Sequence, residues 1–156
     1  MPVAYTNAGN SSYFRMLLLV ATQSCILPLV YLINLKAIIM KVKKRTESVD
    51  LVADGSDNVI VTITIGNAQI GGSVVKIKNT STVIGKGEIQ NLNLGTKAEL
   101  KGKTITITTN ILDTNEQTNG VVVTYFFHAC TVPVTTFNDK VDNDGDIFSF
   151  IVDFNF

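Results

Sequence analysis

Alternation of apolar and polar residues dominates the chain after Arg45. In residues 59–65, valine and isoleucine occupy every second position, with threonine between the later ones. The same period recurs at 104–108 and at 148–156, where phenylalanine is the main apolar residue. A period of two is the pattern of half-buried strands. Further strands are predicted at 50–53, 73–78, 82–92 and 121–130.

Turn-forming residues separate these segments. They supply the positive φ angles or local side-chain bonds that turns need. With strands about ten residues apart, the pattern predicts an all-β fold, an antiparallel β-sandwich of about seven or eight short strands. We expect an immunoglobulin-like or C2-like appearance, with no helix after Arg45 and with 59–65 as an unprotected edge strand. The turn residues are Asp54-Gly55, Gly71-Gly72, Asn79-Thr80, Gly95, Gly102, Asn119-Gly120 and Asp144-Gly145.

Composition divides the chain into a hydrophobic N-terminal segment, residues 1–45, and the β domain, residues 46–156. Residues 16–35 are apolar enough to predict a helical segment, and their length suffices to span a bilayer. Pro28 and the polar Gln23 and Asn34 make this a poor span. Because the basic residues cluster after the segment, a spanning helix would place the β domain in the cytoplasm.

Two other interpretations of the N-terminal segment stay open. Met40 and the basic residues after it look like a natural start of translation, which would make residues 1–39 an over-extended reading frame. The protein would then be soluble and cytoplasmic, whereas a genuine segment would anchor it to a membrane. A soluble amphipathic helix is disfavoured because the segment is apolar nearly all round.

Charge and cysteine content exclude some classes of function. The 156 residues carry 13 basic and 13 acidic side chains, so the net charge is zero and nucleic-acid binding is not expected. Two cysteines do not make a disulfide framework. Six lysines could form a patch for a polyanion, but charged hairpins that deter edge pairing explain them equally well. They are Lys76, Lys78, Lys86, Lys97, Lys101 and Lys103.

An acidic stretch at 138–146 is the main candidate for chemistry. Asp142, Asp144 and Asp146 occupy alternate positions and could offer oxygen ligands to calcium. The EF-hand pattern does not fit, because a turn at Gly145 puts Lys140 at the first ligand position. The alternative is a solvated hairpin turn built on Asp-Gly, which the flanking strands require anyway.

No catalytic constellation is visible. His128 and Cys130 are predicted to share one face of a strand, where they could begin a zinc site. Structural zinc takes four ligands, and no second pair is present, so we interpret Cys130 as a packed small hydrophobe. His128 is the single histidine, and a same-face neighbour is poorly placed as a base for a cysteine nucleophile. We therefore expect a protein that is not an enzyme and that holds no cofactor, calcium excepted.

The last residues bear a resemblance to a membrane-protein family. A terminal phenylalanine preceded by apolar residues at alternate positions resembles the closing strand of bacterial outer-membrane barrels. That resemblance implies strands inserted into a bilayer, as in a barrel or a toxin. Tryptophan is absent, however, and the final strand of a sandwich explains the same residues. The residues concerned are Phe148, Phe150, Val152, Phe154 and Phe156.

The function predicted from these features is that of a non-catalytic binding or assembly module. The loops at 113–120 and 138–146 are the expected contact surfaces, because loops on a rigid scaffold carry recognition. The expected partner is another protein or a second copy of the chain. Membrane association through residues 16–35 and calcium binding through 138–146 are the alternatives.

Overall fold

The predicted alternation folds into strands with one buried face each. The computed structural model describes residues 40–156, which form one compact unit, Met40–Phe156. The predicted membrane or amphipathic segment, residues 16–35, lies outside the described residues. Nine strands and one short helix are present in the described part. They are β1 Val42–Asp50, β2 Asn58–Ile65, β3 Ile70–Ile77, β4 Val83–Gly87, β5 Leu92–Thr96, α1 Lys97–Leu100, β6 Thr104–Leu112, β7 Gly120–His128, β8 Val134–Lys140 and β9 Ile147–Asn155.

The strands form two sheets. Sheet 1 has the order β1-β9-β6-β3-β4, and sheet 2 has the order β5-β2-β7-β8. All neighbouring pairs are antiparallel except β1 and β9, which are parallel. Sheet 1 is therefore mixed, which corrects the expectation of purely antiparallel pairing. In the immunoglobulin fold the last two strands are neighbours in one sheet, whereas β8 and β9 here belong to different sheets.

Aromatic side chains join the two sheets. Phe154 of β9 and Tyr125 and Phe127 of β7 are buried. The ring of Phe154 lies edge-on to both β7 rings, at centroid distances of 5.2 Å to Tyr125 and 4.8 Å to Phe127. Edge-to-face pairs at such distances add to the free energy gained by burial. The centre of the core therefore lies where β9 faces β7.

A buried polar chain also crosses between the sheets. The Ser73 hydroxyl lies 2.8 Å from the Thr109 hydroxyl within sheet 1, and the Thr109 hydroxyl lies 3.1 Å from that of Tyr125 in sheet 2. All three side chains are buried. Burial raises the pKa of Tyr125 to about 12, so the phenol stays neutral. Because a buried hydroxyl without a partner is costly, this chain fixes how the two sheets align.

Several strand boundaries differ from the prediction. β1 begins at Val42, so residues before the expected boundary at 46 belong to the β unit. Its alternation was hidden by charged side chains. β8 was missed for the same reason, since only Val134 and Phe137 are apolar in it. The predicted strand 82–92 contains β4 and only the first residue of β5, and these two strands lie in different sheets.

Two further expectations are wrong. Residues 59–65 fall in β2, which lies inside sheet 2 between β5 and β7 and is not an edge strand. Gly71 lies within β3 and not in a turn. A Cβ atom there would overlap the carbonyl oxygen of Asn110 on β6, so the glycine allows close approach of two strands.

The short helix α1 was also not predicted. The Thr96 hydroxyl accepts a hydrogen bond from the Glu99 N–H, and the Glu99 carboxylate accepts one from the Thr96 N–H. This reciprocal pair is a capping box. Its Thr-x-x-Glu spacing was visible in the sequence.

Replacing Phe154 should be among the most damaging core substitutions. Phe154→Ala removes a ring that packs against both sheets, and we expect the free energy of unfolding to fall by about 3–5 kcal/mol. Phe156→Ala, at a half-buried ring two residues later, is the matched control and should cost less. Urea denaturation followed by fluorescence measures both, and equal losses would contradict a core centred on Phe154.

Candidate functional site

Three connecting segments meet at one end of the β unit. They are residues 66–69 between β2 and β3, 113–119 between β6 and β7, and 141–146 between β8 and β9; together we call them the loop platform. Main-chain bonds join the last two, from Asp113 N to Asp146 O at 3.0 Å and from Gly145 N to Asp113 O at 2.9 Å. The two loops predicted from sequence as contact surfaces therefore lie side by side, although residues 138–140 belong to β8.

Gln69 connects the first segment to the second. Its side-chain amide donates to Asp113 Oδ1 at 2.6 Å and to Thr118 O at 3.3 Å, and its carbonyl accepts from Thr114 N at 2.7 Å. The residue is only 8% exposed. Nothing in the sequence distinguished it from a surface glutamine, because its role depends on a loop that is distant along the chain. The platform is consequently a braced surface and not three independent loops.

Asp113 lies at the base of the platform. Sequence analysis placed it in an exposed contact loop, but it is 1% exposed. Its Oδ1 accepts the Gln69 bond, while its Oδ2 is buried and has no hydrogen-bond partner within residues 40–156. An unsatisfied buried oxygen destabilises a fold. Because Asp113 is buried and its Oδ1 holds Gln69, it braces the platform and is not part of the contact surface.

The three predicted calcium ligands do not converge. Asp146 Oδ1 accepts from Lys41 N at 2.9 Å, and its Oδ2 accepts from the Asn143 main-chain N–H at 3.2 Å. These donors, that of Lys41 first, hold the pKa of Asp146 below its ordinary value of 3.8. Asp142 and Asp144 are exposed. Residues 40–156 hold no group of three or more His, Cys, Asp or Glu side chains arranged for a metal. Calcium binding stays a prediction.

His128 and Cys130 are separated by a change of backbone direction. β7 ends at His128, and Ala129 has a φ of 58°, so the alternation that predicted a shared face does not extend to Cys130. His128 is exposed. Cys130 is half-buried against the core, and burial raises the pKa of its thiol. A protonated, packed thiol is a poor nucleophile.

The six lysines are all exposed. Lys78 donates to Asp153 Oδ2 at 2.6 Å, so one of the six lysine charges is paired with a carboxylate. A cleft of about 440 Å³ lies beside β2 and β3, and its one ionisable lining side chain is Glu88. A lone carboxylate supplies no acid–base pair.

No helix in the described part of the chain is long and apolar enough to cross a membrane. Comparison with protein-family models, with curated proteins and with solved structures finds no match. The geometry of the β unit is therefore the basis for any functional proposal.

Gln69→Leu should loosen the platform. The substitution removes the amide while nearly preserving volume. It leaves Thr114 N without its acceptor and removes the shorter of the two hydrogen bonds to Asp113 Oδ1. We expect the free energy of unfolding to fall by about 1–3 kcal/mol. Gln117→Leu, at an exposed position in the same platform, should change it by less than about 0.5 kcal/mol. Amide hydrogen exchange at Thr114 should accelerate only in the first variant; unchanged exchange would contradict the bracing role.

Stability should fall in acid partly through Asp146. Because folding lowers its pKa, its contribution is fully present above the ordinary value of 3.8 and is lost as pH falls through the lowered pKa. Asp146→Asn should therefore be less stable than the parent at about pH 7, with the difference shrinking at about pH 2.5. Urea denaturation at both pH values measures this, with Asp144→Asn as the exposed control. A difference independent of pH would contradict the assignment.

Proposed function

We propose that residues 40–156 form a non-catalytic β-sandwich module that binds a protein partner through the loop platform. The observation that carries the proposal is the hydrogen-bonded joining of three distant segments into one braced surface. Contact loops that are already ordered lose less conformational entropy on binding than mobile ones. Loops on a rigid scaffold are also the usual location of recognition residues.

The charge of the platform indicates the kind of partner. Its three segments contain no lysine, arginine or histidine. Glu116, Asp142 and Asp144 are exposed on it, among exposed amide and hydroxyl side chains such as Asn67 and Gln117. A surface of one charge sign attracts a partner of the opposite sign and accelerates the encounter. We infer a partner protein with a basic contact surface.

Other observations support a non-catalytic role. The carboxylates of Asp139, Asp146 and Asp153 accept hydrogen bonds that stabilise the fold, so they are not free to act as bases. Folding lowers the pKa of each, whereas a carboxylate used as a general acid needs a raised one. The membrane-anchored alternative rests on residues 16–35, which lie outside the described residues.

Reversing the platform charge should weaken partner binding. The triple variant Glu116→Lys, Asp142→Lys, Asp144→Lys converts the surface to a basic one without touching a buried residue. The control Asp54→Lys, Asp57→Lys, Glu88→Lys makes the same change in net charge at exposed acids outside the platform. Thermal denaturation first establishes that both variants fold.

Affinity capture from the source cells, followed by titration of the purified partner, gives the readout. We expect the platform variant to lose at least about tenfold in affinity and the control to lose less than about twofold. The wild-type affinity should also fall as salt rises, because charge attraction is screened. If no captured protein distinguishes the two triple variants, the platform is not the recognition surface.

A further inference from the structure

β1 is the longest strand at a sheet edge within residues 40–156. Its neighbour on one side is β9, and it has none on the other among the described strands. The other edge strands are shorter, with five residues each in β4 and β5 and seven in β8. Register shifts interrupt the pairing of β4 and of β5. All nine residues of β1 pair with β9 without a shift.

The even-numbered residues of β1 present the free edge. Lys41 O accepts from Ile147 N at 2.8 Å, and Leu51 N donates to Asn155 O at 2.7 Å. The main-chain N–H and C=O groups of successive residues point to opposite sides of a strand. Those of the odd residues of β1 therefore bond to β9, and those of the even residues point away from it.

The residues just after β1 follow the same rule. Val52 O accepts from Thr131 N, and Asp54 N donates to Ala129 O, so these even residues bond away from β9. From Val42 to Asp50, by contrast, the even residues have no main-chain hydrogen bond within residues 40–156. A row of unpaired N–H and C=O groups is a template for another strand.

Charged side chains often protect such an edge, but those of β1 are segregated along the strand. Lys43, Lys44 and Arg45 precede Thr46, whereas Glu47 and Asp50 follow it. If two copies of β1 pair antiparallel with Thr46 opposite Thr46, Arg45 of each copy lies opposite Glu47 of the other. No two like charges are then directly opposite, and opposite-charge pairs of this kind stabilise a sheet.

This register avoids the like-charge contacts that its two neighbours contain. A pairing displaced in one direction puts Arg45 opposite Arg45, and a pairing displaced in the other puts Glu47 opposite Glu47. Like charges directly opposite destabilise a pair of strands. The register centred on Thr46 also places even residues opposite even residues, so that the free N–H and C=O groups of both copies meet.

The long basic side chains do not cover the edge. Within one copy, Arg45 Nε donates to Glu47 Oε1 of the same strand at 2.6 Å. Lys43 donates to Asp139 Oδ1 at 2.9 Å, and Arg45 donates to Asn138 O at 3.1 Å, both on β8. Their side chains are thus turned towards sheet 2. Between them, Lys44, Thr46 and Ser48 are exposed.

We propose that a second copy of this chain adds to the free edge of β1, in antiparallel pairing centred on Thr46. The interface is two-fold symmetric and continues sheet 1 from one copy into the next. It uses a surface different from the loop platform and does not depend on the function proposed there.

Proline at the centre of β1 tests the backbone pairing in the full-length chain. Thr46→Pro removes a main-chain N–H that has no acceptor within residues 40–156 but that the interface needs. Edge strands tolerate proline at such positions. Thr136→Pro makes the same change at the edge of β8. We expect sedimentation velocity to give twice the mass of one chain for the parent and for Thr136→Pro, and a single-chain mass for Thr46→Pro. Circular dichroism establishes that both variants fold.

Charge reversal tests the register. Arg45→Glu alone and Glu47→Arg alone each put like charges opposite one another in a homodimer, so each variant should be monomeric. In a one-to-one mixture, the acidic pair of one variant lies opposite the basic pair of the other, and dimers should return. A variant that is merely misfolded would not be rescued by mixing.

Two results would overturn the proposal. One is a parent chain that stays monomeric at the highest concentration reached. The other is association that survives Thr46→Pro. All variants share residues 1–39, so association through that segment would persist in this variant. Loss of partner capture by the platform variants would leave this result unchanged, so the two proposals fail separately.

Discussion

The position of β9 determines most of the structure. It is hydrogen-bonded on both sides, to β1 and to β6, and it supplies the largest share of the buried aromatic rings. Burying a phenylalanine contributes about 1.5–3 kcal/mol, so the three buried rings of β9 outweigh any single surface interaction. The contacts of Tyr125 and Phe127 with Phe154 determine where sheet 2 packs on sheet 1. The hydrogen-bonded hydroxyls of Ser73, Thr109 and Tyr125 then fix how the two sheets align.

Charged side chains join β1, at one edge of sheet 1, to β8, at one edge of sheet 2. Lys43 and Arg45 form ion pairs with Asp139, at 2.9 and 3.6 Å. Exposed ion pairs contribute little to stability, because solvent screens them. The same side chains, however, lie over the rings of Phe148 and Phe137, at 5.4 and 5.8 Å from the ring centres. Their charged groups therefore make cation–π contacts with these rings, an attraction that the pairing with Asp139 alone does not reveal.

The sequence was most informative where burial alone determines the pattern. The alternation in β2, β6, β7 and β9 was visible because one face of each strand is apolar. β1 and β8 were missed because their inward positions are filled by side chains such as Arg45 and Asp139, whose partial burial depends on partners in the other sheet. α1 was missed although its capping box was present, since four residues are too short for a helical period.

The candidate site was predictable only in outline. The loops at 113–120 and 138–146 were identified from their turn residues, but periodicity carries no information about which loops meet in space. Gln69 and the buried state of Asp113 depend on contacts across more than forty residues of chain. The same limitation explains why the carboxylates of Asp142, Asp144 and Asp146 looked like one cluster although Asp146 bonds to Lys41 and Asn143.

The parallel pairing of β1 with β9 also has a consequence for biosynthesis. Among the described strands, the first to leave the ribosome has as its sheet neighbour the last to do so. Until β9 emerges, β1 is an unpaired strand and β6 lacks its second neighbour, so sheet 1 is divided into two parts. Local hairpins such as β3–β4 and β7–β8 can form during translation, but closure of the core must wait until β9 has left the ribosome. A nascent chain stalled before Ile147 would therefore expose both inner faces to chaperones and proteases.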